Sequence, residues 1–334
     1  MDKEQLRRID LKNRTKLETV IPLETPFIIN VDPADSCNFQ CSFCPTGDRK
    51  LMKDIGRPFR TMKWEIFTKI IDDLKEFNEP IKVLRLYKDG EPLLNPRFAD
   101  MVKYAKDSGK VLKVDTTTNA SLLNPKRNIE IIEAGLDKIN ISVEGVNAEQ
   151  YMKFSKYKID FDNFVENIKH FYENKKQCEV VVKINGDTLS EDDKKFFMET
   201  FKDIADGVYI EHIMSCWPEF ELRDGLEVNQ EHGIYGQEIK EVSVCPYVFY
   251  SFSLNSDGQA SLCFLDWSRK LLIGDVREES VKSIWLGDKM KEYQKMFLRH
   301  ERKNHPVCKD CGQMSHGMPD DIDSFADEIL KKLG

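Results

Sequence analysis

The sequence lacks long hydrophobic runs, and this absence excludes several classes of protein. No apolar stretch approaches the roughly 18 residues that a membrane-spanning helix needs. The N-terminal stretch MDKEQLRRIDLKNRTK is charged throughout and lacks the apolar core of about 7 to 15 residues that secretory signals contain. We therefore expect a cytoplasmic protein that does not insert into a membrane.

An excess of basic residues is also missing. The chain of 334 residues carries 50 Lys and Arg against 58 Asp and Glu, which gives a formal net charge of -8. Because nucleic-acid binding draws on clustered Lys and Arg that contact phosphates, this balance disfavours a general nucleic-acid-binding protein. It leaves room for a local basic pocket.

Cysteine, by contrast, is abundant. Nine cysteines are many for a chain in a reducing compartment, where disulfides are rare and cysteine spacing indicates metal or redox chemistry. They separate along the chain into three, four and two: Cys37, Cys41 and Cys44; Cys245, Cys263, Cys308 and Cys311; and the isolated Cys178 and Cys216.

Apolar, strand-like runs alternate with amphipathic helical patterns from residue 27 onward. This alternation predicts an α/β protein with a parallel sheet. Six strands are fewer than the eight of a closed barrel, so we expect either an open, curved partial barrel or a doubly wound sheet. In both, function is expected at the C-terminal ends of the strands. The predicted strands are residues 27–32, 82–87, 111–117, 138–143, 179–184 and 207–213.

The pattern changes near residue 240, where a hairpin replaces the alternation of strands and helices. Two runs flank a turn at residues 255–258, and a helical stretch is predicted over about 281–300. These features predict a small, separate C-terminal module. The full division is residues 1–26 as an N-terminal extension, 27–213 as the barrel-like domain, 214–242 as a linker, 243–316 as the small module and 317–334 as a tail helix.

The loop after the first predicted strand reads SCNFQCSFCP and offers three thiolates. Zinc and iron-sulfur clusters both bind thiolates, so ligand type alone does not choose between them. A structural zinc site needs a fourth ligand from elsewhere in the chain. A four-iron cluster held by three cysteines keeps one iron without a protein ligand, and a small molecule can coordinate there. Such an open iron would explain the incomplete set.

The segment CNFQCSFC resembles the signature of the radical S-adenosylmethionine superfamily, in which that cofactor chelates the open iron through its amino and carboxylate groups. Residues 89–92, 118–120 and 142–145 resemble three further elements of the family, in order and each at the end of a predicted strand. The resemblance covers about residues 27–312. It implies a partial (β/α)6 TIM-like barrel with a small auxiliary-cluster domain.

The resemblance also implies which residues contact S-adenosylmethionine. Glu91 and a neighbouring backbone group would bind the amino group, since a carboxylate is the expected partner of an ammonium. The element at 142–145 would contact the carboxylate and ribose, and Phe43 occupies the aromatic position near the adenine. Asp89 and Ala120 stand where the family has glycine. The predicted cofactor-binding residues are Phe43, Gly90, Glu91, Asn119, Ser142 and Glu144.

The second group of cysteines can close a site completely. A hairpin followed by C-x2-C is also a zinc-ribbon design, so the residues alone leave zinc and iron-sulfur equally open. The arrangement resembles the short "twitch" form of the SPASM domain, which carries one fully ligated four-iron cluster. The resemblance therefore implies an auxiliary [4Fe-4S] cluster with four ligands, Cys245, Cys263, Cys308 and Cys311.

Two further residues are catalytic candidates. Cys216 follows the sixth predicted strand, at the active end of the sheet, and is either a hydrogen-atom donor or a buried thiol. Asp266 lies three residues after Cys263, where relatives place a carboxylate, and is either a proton acceptor or a solvated side chain. We expect Cys178 to serve packing alone.

The resemblance implies radical chemistry. An electron delivered to the first [4Fe-4S] cluster would cleave S-adenosylmethionine to methionine and a 5'-deoxyadenosyl radical, which takes hydrogen from a C-H bond. We predict an oxidoreductase that oxidises an alcohol of a sugar, cyclitol or aminoglycoside-type substrate, with the auxiliary cluster as electron acceptor. A flavodoxin, ferredoxin or reductase would supply the first electron.

Three alternatives remain open at this stage. An epimerase would use Cys216 to return a hydrogen atom to the opposite face of the reacting carbon. A peptide-modifying enzyme would use the same radical on a larger substrate. Outside enzymes, two structural zinc ions would stabilise a binding module.

Overall fold

The computed structural model describes residues 14–214, 216–228, 231–234, 236–317 and 320–334. Six parallel strands lie side by side in chain order, and every predicted strand is present, within one residue at its start and two at its end. They are β1 Ile28–Val31, β2 Ile81–Arg85, β3 Val111–Thr118, β4 Lys138–Val143, β5 Glu179–Asn185 and β6 Gly207–Glu211.

The strands form where apolar, β-branched residues are buried. In β5 the three consecutive residues Val180, Val181 and Val182 are completely buried, which is typical of a parallel strand covered on both faces. In β1, by contrast, Ile29 packs in the hydrophobic core while Asn30 lines the opposite face. That opposite face is the interior of the partial barrel.

Helices connect the strands and cover the outer face of the sheet. Side-chain caps begin several of them; at Ser190 and Asp193 each side chain accepts the other residue's backbone N–H, which forms a capping box. The helices of this part are α1 Arg49–Asp54, α2 Trp64–Asp73, α3 Phe98–Asp107, α4 Pro125–Ala134, α5 Ala148–Ser155, α6 Phe161–Asn174 and α7 Glu191–Phe201.

The C-terminal hairpin continues the same sheet as the six parallel strands. Its strands are β7 Ser251–Leu254, β8 Gln259–Ser261 and β9 Leu272–Asp275. β7 pairs in parallel with β1, and the strand order is β6-β5-β4-β3-β2-β1-β7-β8-β9. The free edge of β1 presents unpaired backbone groups that β7 satisfies, so the hairpin joins the barrel directly.

The remaining helices differ from the predicted ones in length. The stretch predicted at 281–300 is two helices, because Gly287 adopts an extended conformation between them and glycine is a poor helix former. The tail helix is shorter than residues 317–334, of which 318 and 319 lie outside the described residues. These helices are α8 Val281–Trp285, α9 Asp288–Leu298, α10 Gln313–His316 and α11 Ala326–Leu333.

The predicted extension and linker contain little regular structure where they are described. Leu17 and Ile21 of the extension are buried and join the hydrophobic core. The linker contains an isolated antiparallel bridge between His232 and Glu238, and no helix or strand in its described part. None of the described helices has the length and apolar character that crossing a membrane requires.

Candidate active site

The first group of cysteines lies on the loop that follows β1. Cys41 is buried, while Cys37 and Cys44 are half-buried and pack against the core. Burial raises the pKa of Cys37 to about 12 and raises the pKa of the other two thiols as well. A thiolate in this environment needs a cation beside it, and iron supplies one. The donor set therefore fits an iron-sulfur cluster.

Two arginines hold the backbone of this loop. The Arg49 guanidinium, from the start of α1, donates a hydrogen bond to the carbonyl oxygen of Cys37. Arg223, from the linker, donates to the carbonyl oxygen of Cys41 at 2.6 Å and lies 3.5 Å from that of Cys44. These contacts leave the thiols available as ligands. Neither arginine belongs to a recognisable motif, so the sequence alone predicts neither contact.

The loop after β2 packs directly on the cysteine loop. A Cβ atom at Gly90 would lie 2.2 Å from the carbonyl oxygens of Ala34 and Ser36, so no side chain fits at this position. The next backbone N–H, that of Glu91, donates to the Ser36 oxygen at 2.8 Å. Gly90 therefore brings Glu91 up to the first cysteine group.

The carboxylate of Glu91 is buried and accepts hydrogen bonds from neighbouring residues. It accepts hydrogen bonds from the Thr118 hydroxyl at 2.6 Å, from the Asn119 backbone N–H at 2.7 Å and from the Leu93 backbone N–H at 2.9 Å. Burial raises the pKa of Glu91 to about 7. A cationic ligand would offset this burial cost, as the amino group of S-adenosylmethionine would.

Asn119 lies between the loop after β3 and the first cysteine group. Its side-chain nitrogen donates to the Asn38 side-chain oxygen at 2.9 Å and lies 3.9 Å from the Cys37 sulfur. The next residue, Ala120, has a φ of 57°, in the left-handed region that glycine favours. The backbone thus keeps the shape of the family's glycine element although the side chain differs.

The other predicted cofactor contacts lie at the end of β4. Phe43 and Glu144 line one small cavity together with Val143 and Phe154. Burial raises the pKa of Glu144 to about 7, and the nearby charge of Lys183 opposes that shift. The cavity, of about 10 Å³, brings together an aromatic ring and a carboxylate, two of the contacts that the family resemblance implies for the cofactor. Ser142, two residues earlier on β4, is half-buried.

The second group of cysteines borders one cavity. Burial raises the pKa of all four thiols, and most of them raise one another's pKa further. Arg302 also lines this cavity and donates to the carbonyl oxygen of Cys308 at 3.1 Å, and the other lining side chains are apolar. Among the described residues, no three His, Cys, Asp or Glu side chains converge on a single metal ion, whereas a four-iron cluster binds its thiolates at separate irons and so needs them further apart. Four thiols around one apolar cavity match a fully ligated cluster.

Asp266, the predicted proton acceptor, is buried in the hairpin region and hydrogen-bonded there, and its catalytic role stays a prediction. The side chain is 1% exposed. Its carboxylate accepts hydrogen bonds from the Ser261 hydroxyl at 2.8 Å and from the backbone N–H groups of Lys270 and Leu271 at 2.9 and 3.1 Å. With these partners, the carboxylate holds the loop after Cys263 in shape rather than facing a substrate.

A buried charge network joins this loop to the cysteine loop. The Lys88 ammonium lies 2.7 Å from Asp89 and donates to the carbonyl oxygen of Asp266 at 3.0 Å. The Arg269 guanidinium lies 3.3 Å from Asp89. Opposite charges offset one another's burial cost only when they stay paired, so the network ties the two regions together. Its members are Asp32, Asp35, Arg57, Lys88, Asp89 and Arg269.

Cys216 lies between the two groups of cysteines. It is half-buried and lines a cavity of about 310 Å³ with Met214, Trp217 and other apolar residues of the linker. Burial raises the pKa of its thiol to about 12, with smaller contributions from Cys311 and Cys44. The structure therefore places this thiol near one member of each group.

A larger cavity, of about 470 Å³, lies inside the barrel. Its barrel wall contains apolar residues, such as Ile28 and Val83, and an ion pair of 3.3 Å between Arg85 and Asp115. The opposite wall comes from the C-terminal region. Three of its residues lie one or two positions along the chain from cysteines of the second group. The polar and aromatic residues that line this cavity include Asn30, Arg85, Asp115, Asn140, Tyr247, Phe264 and Gln313.

Comparison with protein families identifies both regions. The model of the Radical SAM superfamily matches residues 31–203, more than half of the chain. The model of SPASM, an iron-sulfur cluster-binding domain, matches residues 245–312. The first match includes the first cysteine group, and the second includes all four cysteines of the second group.

Several curated proteins are similar to this chain. The tungsten-containing aldehyde ferredoxin oxidoreductase cofactor-modifying protein of Pyrococcus furiosus is 24% identical over 325 residues, covering 82% of this chain and 84% of that protein. The AdoMet-dependent heme synthase of Methanosarcina barkeri is 28% identical over 137 residues, covering 39% and 34%. The GTP 3',8-cyclase of Aliarcobacter butzleri is 24% identical over 226 residues, covering 66% and 62%.

Solved structures share the fold at low sequence identity. BtrN in complex with AdoMet and 2-DOIA has a TM-score of 0.56 and 18% identity, covering 87% of this chain and 95% of BtrN. Native anSMEcpe with bound AdoMet has a TM-score of 0.61 and 15% identity, covering 92% and 96%. Streptococcus suis SuiB bound to S-adenosylmethionine has a TM-score of 0.59 and 12% identity, covering 84% and 70%.

These matches confirm the expected partial-barrel α/β fold and the expected cofactors, which are [4Fe-4S] clusters and S-adenosylmethionine. The alternative of a zinc-stabilised binding module is wrong, because the family consists of enzymes built around a cluster. The roles of the individual site residues stay predictions. The chain belongs to the radical S-adenosylmethionine superfamily and carries a C-terminal SPASM domain.

Proposed function

We propose that the enzyme oxidises an alcohol carbon of a small polar substrate, such as a sugar, a cyclitol or an aminoglycoside-type compound. The barrel cavity supports this proposal, because strands of the barrel form one wall and the region of the second cysteine group forms the other. Tyr247, Phe264 and Gln313 line it and lie within two residues of Cys245, Cys263 and Cys311, respectively. A substrate bound there would lie close to an electron acceptor.

The barrel wall of the cavity suits a substrate with several hydroxyl or amino groups. Arg85 and Asp115 offer a donor and an acceptor side by side. Asn30 and Asn140 each donate a side-chain N–H to a backbone carbonyl oxygen, at 3.2 and 3.1 Å, which fixes the orientation of the amide. A few fixed polar groups inside a cavity are what orient a small polar ligand.

The chain's own residues would bind and orient the substrate and exclude water. When bound, S-adenosylmethionine and its cluster supply a radical that removes a hydrogen atom from carbon, and the second cluster supplies an acceptor for one electron. Oxidation also requires a group that takes the hydroxyl proton. We assign this role to Asp115, which lines the cavity, in place of the buried Asp266.

Isotope transfer tests the proposal. Anaerobic enzyme with dithionite, S-adenosylmethionine and polyols deuterated at their carbinol carbons should transfer deuterium to 5'-deoxyadenosine and form a ketone. Asp115→Asn should slow ketone formation by about 10²-fold or more, the usual worth of a general base, while deuterium transfer persists. Absence of transfer from every polyol would overturn the assigned substrate class.

Epimerisation is a second candidate because Cys216 lies between the two cysteine groups and borders a cavity. In deuterated water an epimerase would place one stable deuterium at an inverted carbon, and Cys216→Ala would abolish that product. We expect neither result, and the ketone should form with Cys216→Ala at an unchanged rate. A peptide substrate is a third candidate, since SuiB has been solved bound to precursor peptide SuiA and anSMEcpe bound to Cp18Cys peptide.

A further inference from the structure

A strongly basic segment follows the first cysteine group directly. Residues 49–63, which we call the basic segment, contain six Lys or Arg side chains and one acidic side chain, Asp54. Its net charge is +5, within a chain whose net charge is -8. The basic residues are Arg49, Lys50, Lys53, Arg57, Arg60 and Lys63.

The charges of the basic segment lie mostly on the surface. Arg57 is buried and Arg49 is half-buried, but the other four basic residues are exposed. Two large apolar residues, Ile55 and Phe59, are exposed beside them, by 38% and 42%. Apolar side chains surrounded by a polar, charged rim are the usual composition of a surface that binds another protein.

One contact path leads from this surface to the first cysteine group. The Arg49 guanidinium carbon lies 5.0 Å from the ring centre of Phe59. The same guanidinium donates a hydrogen bond to the carbonyl oxygen of Cys37. A single side chain therefore separates an exposed aromatic ring from the backbone of the first cysteine.

The charge of the basic segment selects one kind of partner. Complementary charge speeds and orients the encounter of two proteins, and electron-transfer complexes commonly use small, transient interfaces. Nucleic acid is a poorer match, because the rest of the chain is acidic and would repel a long polyanion.

We propose that the basic segment is the docking surface for an acidic one-electron carrier protein, of the flavodoxin or ferredoxin class. The reduced carrier gives up one electron and is oxidised by one electron, while the iron held by the first cysteine group is reduced by one. No bond forms or breaks in this transfer. The proposal concerns only the delivery of that electron, so it does not depend on the identity of the substrate.

Charge reversal on the exposed rim tests the proposal. The double variant Lys53→Glu/Arg60→Glu should weaken binding of a flavodoxin at least 10-fold at low ionic strength, measured by calorimetry with the cluster-loaded protein. The difference from wild type should shrink at high salt, where charge attraction is screened. Cofactor cleavage driven by dithionite, a small reductant that needs no docking surface, should keep its wild-type rate.

A matched control is available at the far edge of the sheet. Lys176 and Lys195 are exposed and flank β5, four strands away from β1. The variant Lys176→Glu/Lys195→Glu makes the same change in net charge and should leave flavodoxin binding within twofold of wild type.

Three results would overturn the proposal. These are unchanged flavodoxin binding in the Lys53/Arg60 variant, an equal loss in the control variant, and tight binding of duplex DNA at this surface in place of flavodoxin. Loss of dithionite-driven cleavage in the wild-type protein would instead contradict the proposed radical function. The calorimetric result would still decide the docking surface in that case.

Discussion

The two cysteine groups are held in opposite ways. The first lies on a loop whose backbone is fixed by polar contacts from outside the loop, including Arg49, 12 residues after Cys37, and Arg223, 182 residues after Cys41. The second surrounds an apolar cavity within one C-terminal region, with Arg302 as the charged residue among the described lining. The first arrangement offers three thiols on a loop with a fixed backbone, whereas the second gathers four thiols around one cavity.

Because of this difference, the two regions should differ in how they respond to substitutions. Polar contacts across long sequence distances couple the first group to the loops after β2 and β3 through Gly90, Glu91 and Asn119. A change in any of these positions should therefore reach the first cluster. The second region should respond mainly to changes in its own residues.

Removal of the thiols gives the largest expected contrast. The triple variant Cys37→Ala/Cys41→Ala/Cys44→Ala should lose about half of the iron and all cofactor cleavage, because one of two four-iron clusters loses its ligands. The variant Cys308→Ala/Cys311→Ala should lose a similar amount of iron yet keep reductive cofactor cleavage. Iron and sulfide analysis of anaerobic protein measures both. Equal loss of cleavage in the two variants would contradict the division of roles.

Gly90→Ala should affect the first cysteine group and not the second, although it removes no cysteine ligand. The added methyl group meets two backbone oxygens at 2.2 Å, and such overpacking typically costs about 1 to 3 kcal/mol. The first cluster should be lost and the second retained. Gly56→Ala is the control, since its Cβ meets no atom within 4 Å, although its φ of 70° carries its own cost of about 1 to 2 kcal/mol. Retention of both clusters in Gly90→Ala would show that the loop adjusts.

The elements of the fold could be predicted from the sequence because burial imposes a regular pattern on each strand. β5 shows this most clearly through its continuous valines. The pairing of β7 with β1 could not be predicted, because no local pattern shows which strand edge a distant hairpin will cover. A separate module was the expectation as a result.

In the candidate site, too, local patterns could be predicted from the sequence and contacts between distant segments could not. Cysteine spacing separates the two groups, whereas the contact of Glu91 with the cofactor follows from the family resemblance and stays a prediction. The contact of Arg223 was not predictable, since it lies 182 residues from Cys41 in an irregular segment. The burial of Asp266 was not predictable either, because sequence position cannot tell a solvent-facing carboxylate from one enclosed by its own loop.

Glu91→Gln should change cofactor binding by an intermediate amount. A hydrogen bond to a charged group is worth about 1.5 to 3 kcal/mol, so calorimetry should show a loss of that size. Burial raises the pKa of Glu91 to about 7, so the free protein holds a proton there at lower pH. An ammonium ligand needs the carboxylate, so cofactor affinity should rise with pH up to about 7.

The folded state without cofactor should show the opposite pH dependence. Between pH 4.5, the ordinary pKa of a glutamate, and about 7, the unfolded chain is ionised at Glu91 while the folded chain keeps the proton. The contribution of Glu91 to stability therefore falls as pH rises through this range. Glu91→Gln should reduce the slope of both profiles, whereas the exposed Glu65→Gln should alter neither. An unchanged slope of cofactor binding would contradict the assigned contact.

Of these substitutions, Asp266→Asn should have the smallest effect on radical chemistry. It tests the region of the second cysteine group directly. Asparagine can accept with one oxygen only, so at least one of the hydrogen bonds from Ser261, Lys270 and Leu271 is lost. Each buried donor left unsatisfied costs about 1 to 3 kcal/mol, which should lower the thermal stability of the C-terminal region. The rate of reductive cofactor cleavage should match wild type, because the first cysteine group keeps its own contacts. Full stability combined with strongly slowed product formation would support Asp266 as the proton acceptor. Lowered stability with unchanged product formation would assign Asp266 a structural role in the hairpin region and leave Asp115 as the candidate proton acceptor.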